Sequence, residues 1–440
     1  MNKTVLMKGV MCAFLTIALT ACAAGQKSAE PGPSGGAADA EVKQPKPPEP
    51  VDITVFSINR TTEDAFNKQY GEAIRSKFPH VNLKVVVNGK GTGIPELIGS
   101  NTPIDILYGS VEGIFTNVID YKLQYDITGL IQSRKYDLNK LEPSIVELQR
   151  KLSGGKLYGL PVWTATSGLF YNKDLFDKFG QPYPKEGMTW DELAELSKKM
   201  TRLEDGVQYY GYVTGPGAQM ATNQLGLDPI DPVTMKSNFT SEPWKQFMQS
   251  IVDIYKASGL AYKADELDVA KSRAAFEKES RVAMYTNYSG GTPPETMNWD
   301  VVSVPSYKNA PGKGPQVYPN YWYVSGISKH KEAAFDIIAF LSSDEFQIPH
   351  NRKGYATVLK DEAIKKQYGQ DMPKFKGKNV AAMFPKQPAP AMNYTPYVRN
   401  AQNVFQSAFQ KHMLEGIDLN TVMREAAEQL DKQVMDAQGK

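Results

Sequence analysis

Between residues 51 and 109 the chain reads as strand, helix, strand, helix, strand, and few topologies accept that order. "VDITVFSI" (51–58) is β-rich and follows a proline run. "EDAFNKQYGEAIRSKF" sets Phe66, Tyr70, Ile74 and Phe78 at a spacing of four, a helical stripe that Pro79 stops. In "VNLKVVV" (81–87), Val81, Leu83, Val85 and Val87 alternate as in a strand. A short helix around "PELIG" and a third strand, "PIDILYG" (103–109), follow. Strands joined by helices imply right-handed crossovers and a parallel sheet, hence an α/β fold. Ligands on such sheets bind beyond the carboxyl ends of the strands. That rule nominates Ser57, Asn59 and Arg60 after the first strand, and Tyr108, Ser110 and Glu112 after the third. The competing reading is that these loop residues only face water.

The N-terminus is of another kind. Lys3 and Lys8 precede an apolar run from Val10 to Leu19, and the small residues Thr20 and Ala21 follow. This is signal-peptide architecture, too short to span a bilayer as a stable helix. Leu19-Thr20-Ala21-Cys22 resembles a bacterial lipobox. By that resemblance residues 1–21 are a cleaved leader, and Cys22 carries a diacylglyceryl thioether as the first mature residue. The plainer alternative is an ordinary secretory signal cut among the alanines. Of the two cysteines only Cys22 would survive cleavage, so it has no disulfide partner. Two buried acyl chains anchor stably where one does not. Residues 22–50 then read as a tether rich in proline, glycine and alanine, without an aromatic residue to seed a core. As a flexible coil it would span about 30 Å. The chain is expected to be exported and held at the outer face of the membrane by the lipid on Cys22.

Residues 51–440 exceed a usual single core, so two domains are expected. A composition of 41% hydrophobic and 22% charged residues is globular. The net charge of +2 is small and the basic residues form no stripe, so nucleic acid is not indicated as a partner. After cleavage no internal disulfide is possible, and the fold rests on packing alone.

"GKLYGLPVWTATSGLFYNKDLFDKFGQPYPKEGMTWDELAELSKKM" (155–200) carries more information. Leu157 to Tyr171 is β-rich with Pro161 interrupting it. "KDLFDKFG" is a short helix with Gly180 as its C′ residue. "TWDEL" is a capping box, Thr189 with Glu192, opening a helix that buries Leu193, Leu196 and Met200. "YGLP", "FYNKDLFDKFG" and "TWDELAELSKKM" resemble the extracellular solute-binding proteins of ABC importers, a family that includes maltodextrin and oligosaccharide receptors. "YWYVSGISKHKEAAFDIIAFLSSDEFQ" (321–347) resembles the hinge strand and following helix of the same family. The resemblance spans residues 51 to 440.

It implies a two-lobe, periplasmic-binding-protein-like α/β fold with hinge crossings and a cleft between the lobes. The first lobe would comprise 51–163 and 324–354, and the second 164–323 and 355–440. Crossings are expected near Trp163–Ala165, Asn320–Tyr323 and Gly354–Val358. The cleft would be lined by Trp163 at the hinge, by Gln219 in "GPGAQM", and by Tyr285, Asn287 and Tyr288 in "MYTNYSGG". Tyr321 and Tyr323 are candidates at the second crossing, on the strand face opposite Trp322. Tyr394 and Arg399 in "NYTPYVRN" match a region where related sugar receptors offer an aromatic residue and an arginine. For every aromatic in this set the competing reading is core packing.

The aromatic and amide inventory favours a carbohydrate, because sugar C–H faces pack on phenol and indole rings while amides and carboxylates fork to hydroxyl pairs. A peptide or polyamine is the next choice; a polyamine would need several cleft carboxylates, and the candidate loops show mainly Glu112. The rival class is a surface-anchored polysaccharide-degrading enzyme, which needs two placed carboxylates. No G-x-S-x-G elbow and no H-E-x-x-H occurs, and the four histidines are scattered. "NGKGTG" (88–93) lacks the GK[ST] ending of a phosphate loop and reads as a turn. The expectation is a monomeric receptor without catalytic residues, metal or cofactor, serving an ABC transporter permease.

Overall fold

The computed structural model describes residues 49–288 and 290–439. The expected leader, the tether and Cys22 lie outside the described residues. Ten strands follow in chain order: β1 (Val51–Ser57), β2 (Val81–Val87), β3 (Ile106–Ser110), β4 (Gly159–Thr164), β5 (Gly168–Asn172), β6 (Arg202–Glu204), β7 (Val207–Val213), β8 (Val282–Asn287), β9 (Trp299–Val302) and β10 (Pro319–Val324). They form two five-stranded sheets, in the orders β2-β1-β3-β10-β4 and β6-β7-β8-β5-β9.

The first sheet grows from the opening repeat. β1 pairs in parallel with β2 and β3, as the crossover rule requires. The third strand starts at Ile106, later than its apolar pattern suggests, because Asp105 is committed elsewhere. Its carboxylate accepts from the Thr54 N–H at 2.9 Å and also binds the Ser328 hydroxyl. The stripe Phe66, Tyr70, Ile74 is buried, although the helix passes through a π-turn at Asn67–Gly71. Phe66 and Tyr70 meet Tyr108 and Trp322 in one aromatic block on this face. On the opposite face, the helix Pro143–Leu152 covers Tyr321 and Tyr323 of β10. Pro161 is tolerated because β4 lies at the edge of the sheet.

β10 bonds to both β3 and β4, so all of residues 319–324 belong to the first sheet. The change of sheet therefore falls before Pro319, a few residues earlier than the expected boundary at 323. Between Asn320 and Tyr321 the β10–β4 register shifts by a bulge. A third passage runs beside β4. The Thr164 N–H donates to the Ala356 carbonyl at 3.3 Å, and Leu359 bridges Leu141.

The second sheet is mixed. β7 and β8 are parallel, while β5 runs antiparallel to β8 and β9. Thr189 and Glu192 form the expected capping box at the start of the helix Trp190–Met200. The helices Val398–Glu415 and Leu419–Ala437 bury Phe405, Phe409 and Leu430 in the core of this second sheet. Met392 and Tyr394, just ahead of them, and Val398, which opens the first of them, pack in the core of the first sheet. The described residues contain no cysteine, and none of their helices is long and apolar enough to cross a membrane.

Candidate ligand-binding cleft

Strand directions bring the relevant loops together. β10 runs against β3 and β4 against β10, so Ser110, Asn320 and Trp163 share one end of the first sheet with Ser57. In the second sheet β7 and β8 end where β5 begins, which groups Val213, Asn287 and Gly168. Only residues 165–167 separate β4 from β5. The carboxyl ends that receive ligands in parallel sheets therefore lie beside the same crossing.

A chain of polar contacts links the two sets of loops. Asn59 Nδ2 donates to Asn320 Oδ1 at 2.6 Å, and Asn59 Oδ1 accepts from the Ser110 N–H at 3.1 Å. Asn320 is the ladder partner of Trp163, which is half-buried. The Trp163 ring stands over Gly290, where a Cβ would come within 3.5 Å of it; Gly290 has φ of +80°. The Gly290 N–H donates to the Thr166 carbonyl at 3.0 Å. Beyond it, Asn287 Nδ2 donates to the Gly291 carbonyl at 2.6 Å. The Arg273 guanidinium lies against Gly291 and holds Glu277 through Nε at 2.8 Å.

A second group forms around Glu112. Gln402 Nε2 donates to its carboxylate at 3.4 Å, and the exposed Arg399 guanidinium stands 3.8 Å away. Arg399 also donates to Gln402 Oε1 at 3.0 Å, which fits their i, i+3 spacing on one helix. Gly217 rests so close to this helix that a Cβ there would be 2.7 Å from the Gln402 carbonyl. The Tyr318 and Tyr394 hydroxyls titrate well above the ordinary tyrosine range, chiefly through burial, with the negative Glu112 nearby adding to the shift. Arg60 is exposed and left-handed at φ 57°.

The structure thus gathers Asn59, Glu112, Trp163, Asn287 and Arg399 around the crossing, with Arg60 exposed beside Asn59 and Tyr394 buried behind Glu112. Four other candidates are buried in the cores of the sheets. Tyr108 is stacked on Trp322 at 4.8 Å and accepts from Ser57 Oγ at 3.0 Å. The Tyr321 hydroxyl donates to the Ile145 carbonyl at 2.6 Å, with Tyr323 beside it. Tyr285 is stacked on Phe276. The strands carrying Tyr285, Tyr321 and Tyr323 are interior to their sheets and covered on both faces. Gln219 is buried near Tyr307 without a well-formed hydrogen bond. Tyr288 is also buried and lines a cavity at the crossings. Asn320, Gln402 and Arg273 were not anticipated. Asn320 had a signal, a lone amide opening an aromatic strand, and Gln402 had its helical spacing from Arg399; nothing local marks Arg273.

The family model for bacterial extracellular solute-binding proteins matches residues 59–348. The sn-glycerol-3-phosphate-binding periplasmic protein of Brucella melitensis is 26% identical over 244 residues, 51% of this chain and 54% of that protein. The chain thus spans about half the length of the curated relatives it matches. An ABC substrate-binding protein from Listeria monocytogenes, solved with cycloalternan, superposes with a TM-score of 0.69 at 19% identity, covering 89% of this chain and 100% of that one. The sugar-binding protein MalE of Xanthomonas citri gives 0.68 at 15% identity, covering 88% and 98%. These structures share the two-lobe fold. With its family model matched over most of the folded body and its strand ends gathered at one crossing, the chain belongs to the bacterial extracellular solute-binding proteins.

Proposed function

We propose that this protein is the receptor of an ABC importer, capturing a sugar-like solute between its two sheets and passing it to the permease. The observation that carries this is the unbroken line Asn59–Asn320–Trp163–Gly290, which joins the ligand-receiving ends of both sheets across one crossing. An indole flanked by amides, with Glu112 and Arg399 nearby, suits a polyhydroxylated ring or chain. Membership of an extracellular family supports export, and anchoring through Cys22 extends that reading. No step of catalysis is assigned to these residues.

A second ligand class, a phosphorylated polyol, is favoured by one observation. Arg60, Arg273 and Arg399 outnumber the two carboxylates Glu112 and Glu277 around the crossing, and guanidinium groups suit phosphate. A thermal-shift screen of sugars, polyols and glycerol phosphates separates the two, because a ligand that binds only the folded state raises the midpoint. Stoichiometric binding of a neutral sugar or polyol without turnover is expected. Steady hydrolysis of an oligosaccharide by the pure protein would overturn the receptor reading. Membrane fractionation of Cys22→Ala tests the anchor; the variant is expected in the soluble fraction, and a variant that stays membrane-bound removes the lipid from this thiol.

A further inference from the structure

A cavity of about 680 Å³ opens at the crossings and shares Tyr318 with the group around Glu112. Successive strand residues point to opposite faces. Trp163 turns its ring toward Gly290, whereas Thr164 lines this cavity. All three passages between the sheets contribute to its wall: Thr164 from the first, Val317 and Tyr318 from the second, Thr357 from the third. Its floor is apolar, with Ile145, Tyr368, Met383 and Phe384. Its rim carries four lysines and two glutamates. Lys365 takes both carboxylates, donating to Glu142 at 2.8 Å and Glu362 at 2.9 Å. Lys360, Lys366 and Lys386 then have no carboxylate partner among the described residues.

A second observation points to an occupant. The hydroxyls of Ser144 and Thr164, both on the cavity lining, are buried without a hydrogen-bond partner. Buried polar atoms are almost always satisfied, by protein, water or ligand.

We propose that this cavity is a second binding site, distinct from the sugar cleft, for an amphiphilic anion. An alkyl or aryl body rests on the floor, a carboxylate or phosphate head meets Lys360, Lys366 and Lys386, and the inner hydroxyls complete the polar contacts. The volume is in the range of small-molecule pockets, about 300–1,000 Å³. The same head-group chemistry occurs in free fatty acids and in anionic lipids.

Calorimetry with dodecanoate, below its micelle concentration, tests the site on the full chain. One equivalent is expected to bind, and dodecanol about tenfold more weakly. The triple variant Lys360→Gln, Lys366→Gln, Lys386→Gln, altered only at exposed positions, is expected to bind dodecanoate about tenfold more weakly while keeping the native circular dichroism. Added salt is expected to weaken the wild type more than the variant. Co-sedimentation with phosphatidylglycerol against phosphatidylcholine vesicles, abolished by the triple substitution, would assign the head group to a lipid; its absence alongside dodecanoate binding would assign it to a free anion. Failure to bind dodecanoate, equal binding of dodecanol, or an unchanged affinity in the triple variant would overturn the proposal.

Discussion

His350 gives this protein a pH dependence that can be isolated by one substitution. The residue lies on the helix Asp344–Arg352, its ring stacked on Tyr355 at 4.3 Å and 4.6 Å from Phe346. Neither ring nitrogen has a hydrogen-bond partner. Burial, helped by the positive Lys353, pushes the imidazole from its ordinary 6.5 down to about 3. In the unfolded chain it binds a proton near pH 6.5; in the folded protein it stays neutral until far below. Between those values the unfolded state holds the extra proton, so stability is full above pH 6.5 and falls as the pH drops toward 3. Integrated from pH 7 to pH 5, the loss is about 2 kcal/mol. His350→Phe keeps the ring and removes the titration, and replacing an unpartnered polar group by an apolar one of similar shape is close to neutral. Urea unfolding of both proteins at pH 7 and pH 5 is the assay. The carboxylates contribute alike to both, so the wild type should lose about 2 kcal/mol more than the variant over this interval. Parallel losses would refute the claim that His350 is neutral in the fold.

Three further outcomes are expected. Trp163→Ala should weaken ligand binding by about 2 kcal/mol, roughly twentyfold in Kd; near-normal affinity in a destabilised variant would remove this ring from the site. Tyr321→Phe should cost about 0.5–1.5 kcal/mol of stability by removing the hydroxyl's hydrogen bond to the Ile145 carbonyl, and leave affinity unchanged; calorimetric binding that weakens instead would put Tyr321 in contact with ligand. Thr189→Ala, which removes the hydroxyl that accepts from the Glu192 N–H and keeps the backbone half of the capping box, should lower stability by about 1 kcal/mol in urea unfolding; an unchanged midpoint would deny the hydroxyl any energetic role.

Periodicity reveals which faces of an element are apolar, but not what else covers them. Val81 to Val87 was legible residue for residue because its alternation is clean, and Thr189 with Glu192 because a cap is a local device. The crossing was legible where it followed from topology: Asn59 and Glu112 were nominated by the strand-end rule and stand beside it. Tyr321 and Tyr323 were misplaced for a different reason. Alternation put them correctly on the face opposite Trp322, yet both faces of β10 are covered, so neither face reaches solvent. Asp105 shows a third limit. Its partners Thr54 and Ser328 lie far off in sequence, and no local pattern reports a long-range carboxylate contact.

The bulge between β4 and β10 sets what the first crossing can tolerate in evolution. One extra residue on β4 accommodates the jump from the Tyr321–Pro161 pair to the Asn320–Trp163 pair, and it decides which side chain faces which compartment. Deleting Val162 would remove the unpaired residue and leave Asn320 opposite Trp163, whereas a one-residue deletion elsewhere in β4 would shift the pairing and turn the side chains beyond it to the other face. Loss of the bulge residue therefore keeps the pairing at the crossing, and a length change at any other β4 position does not.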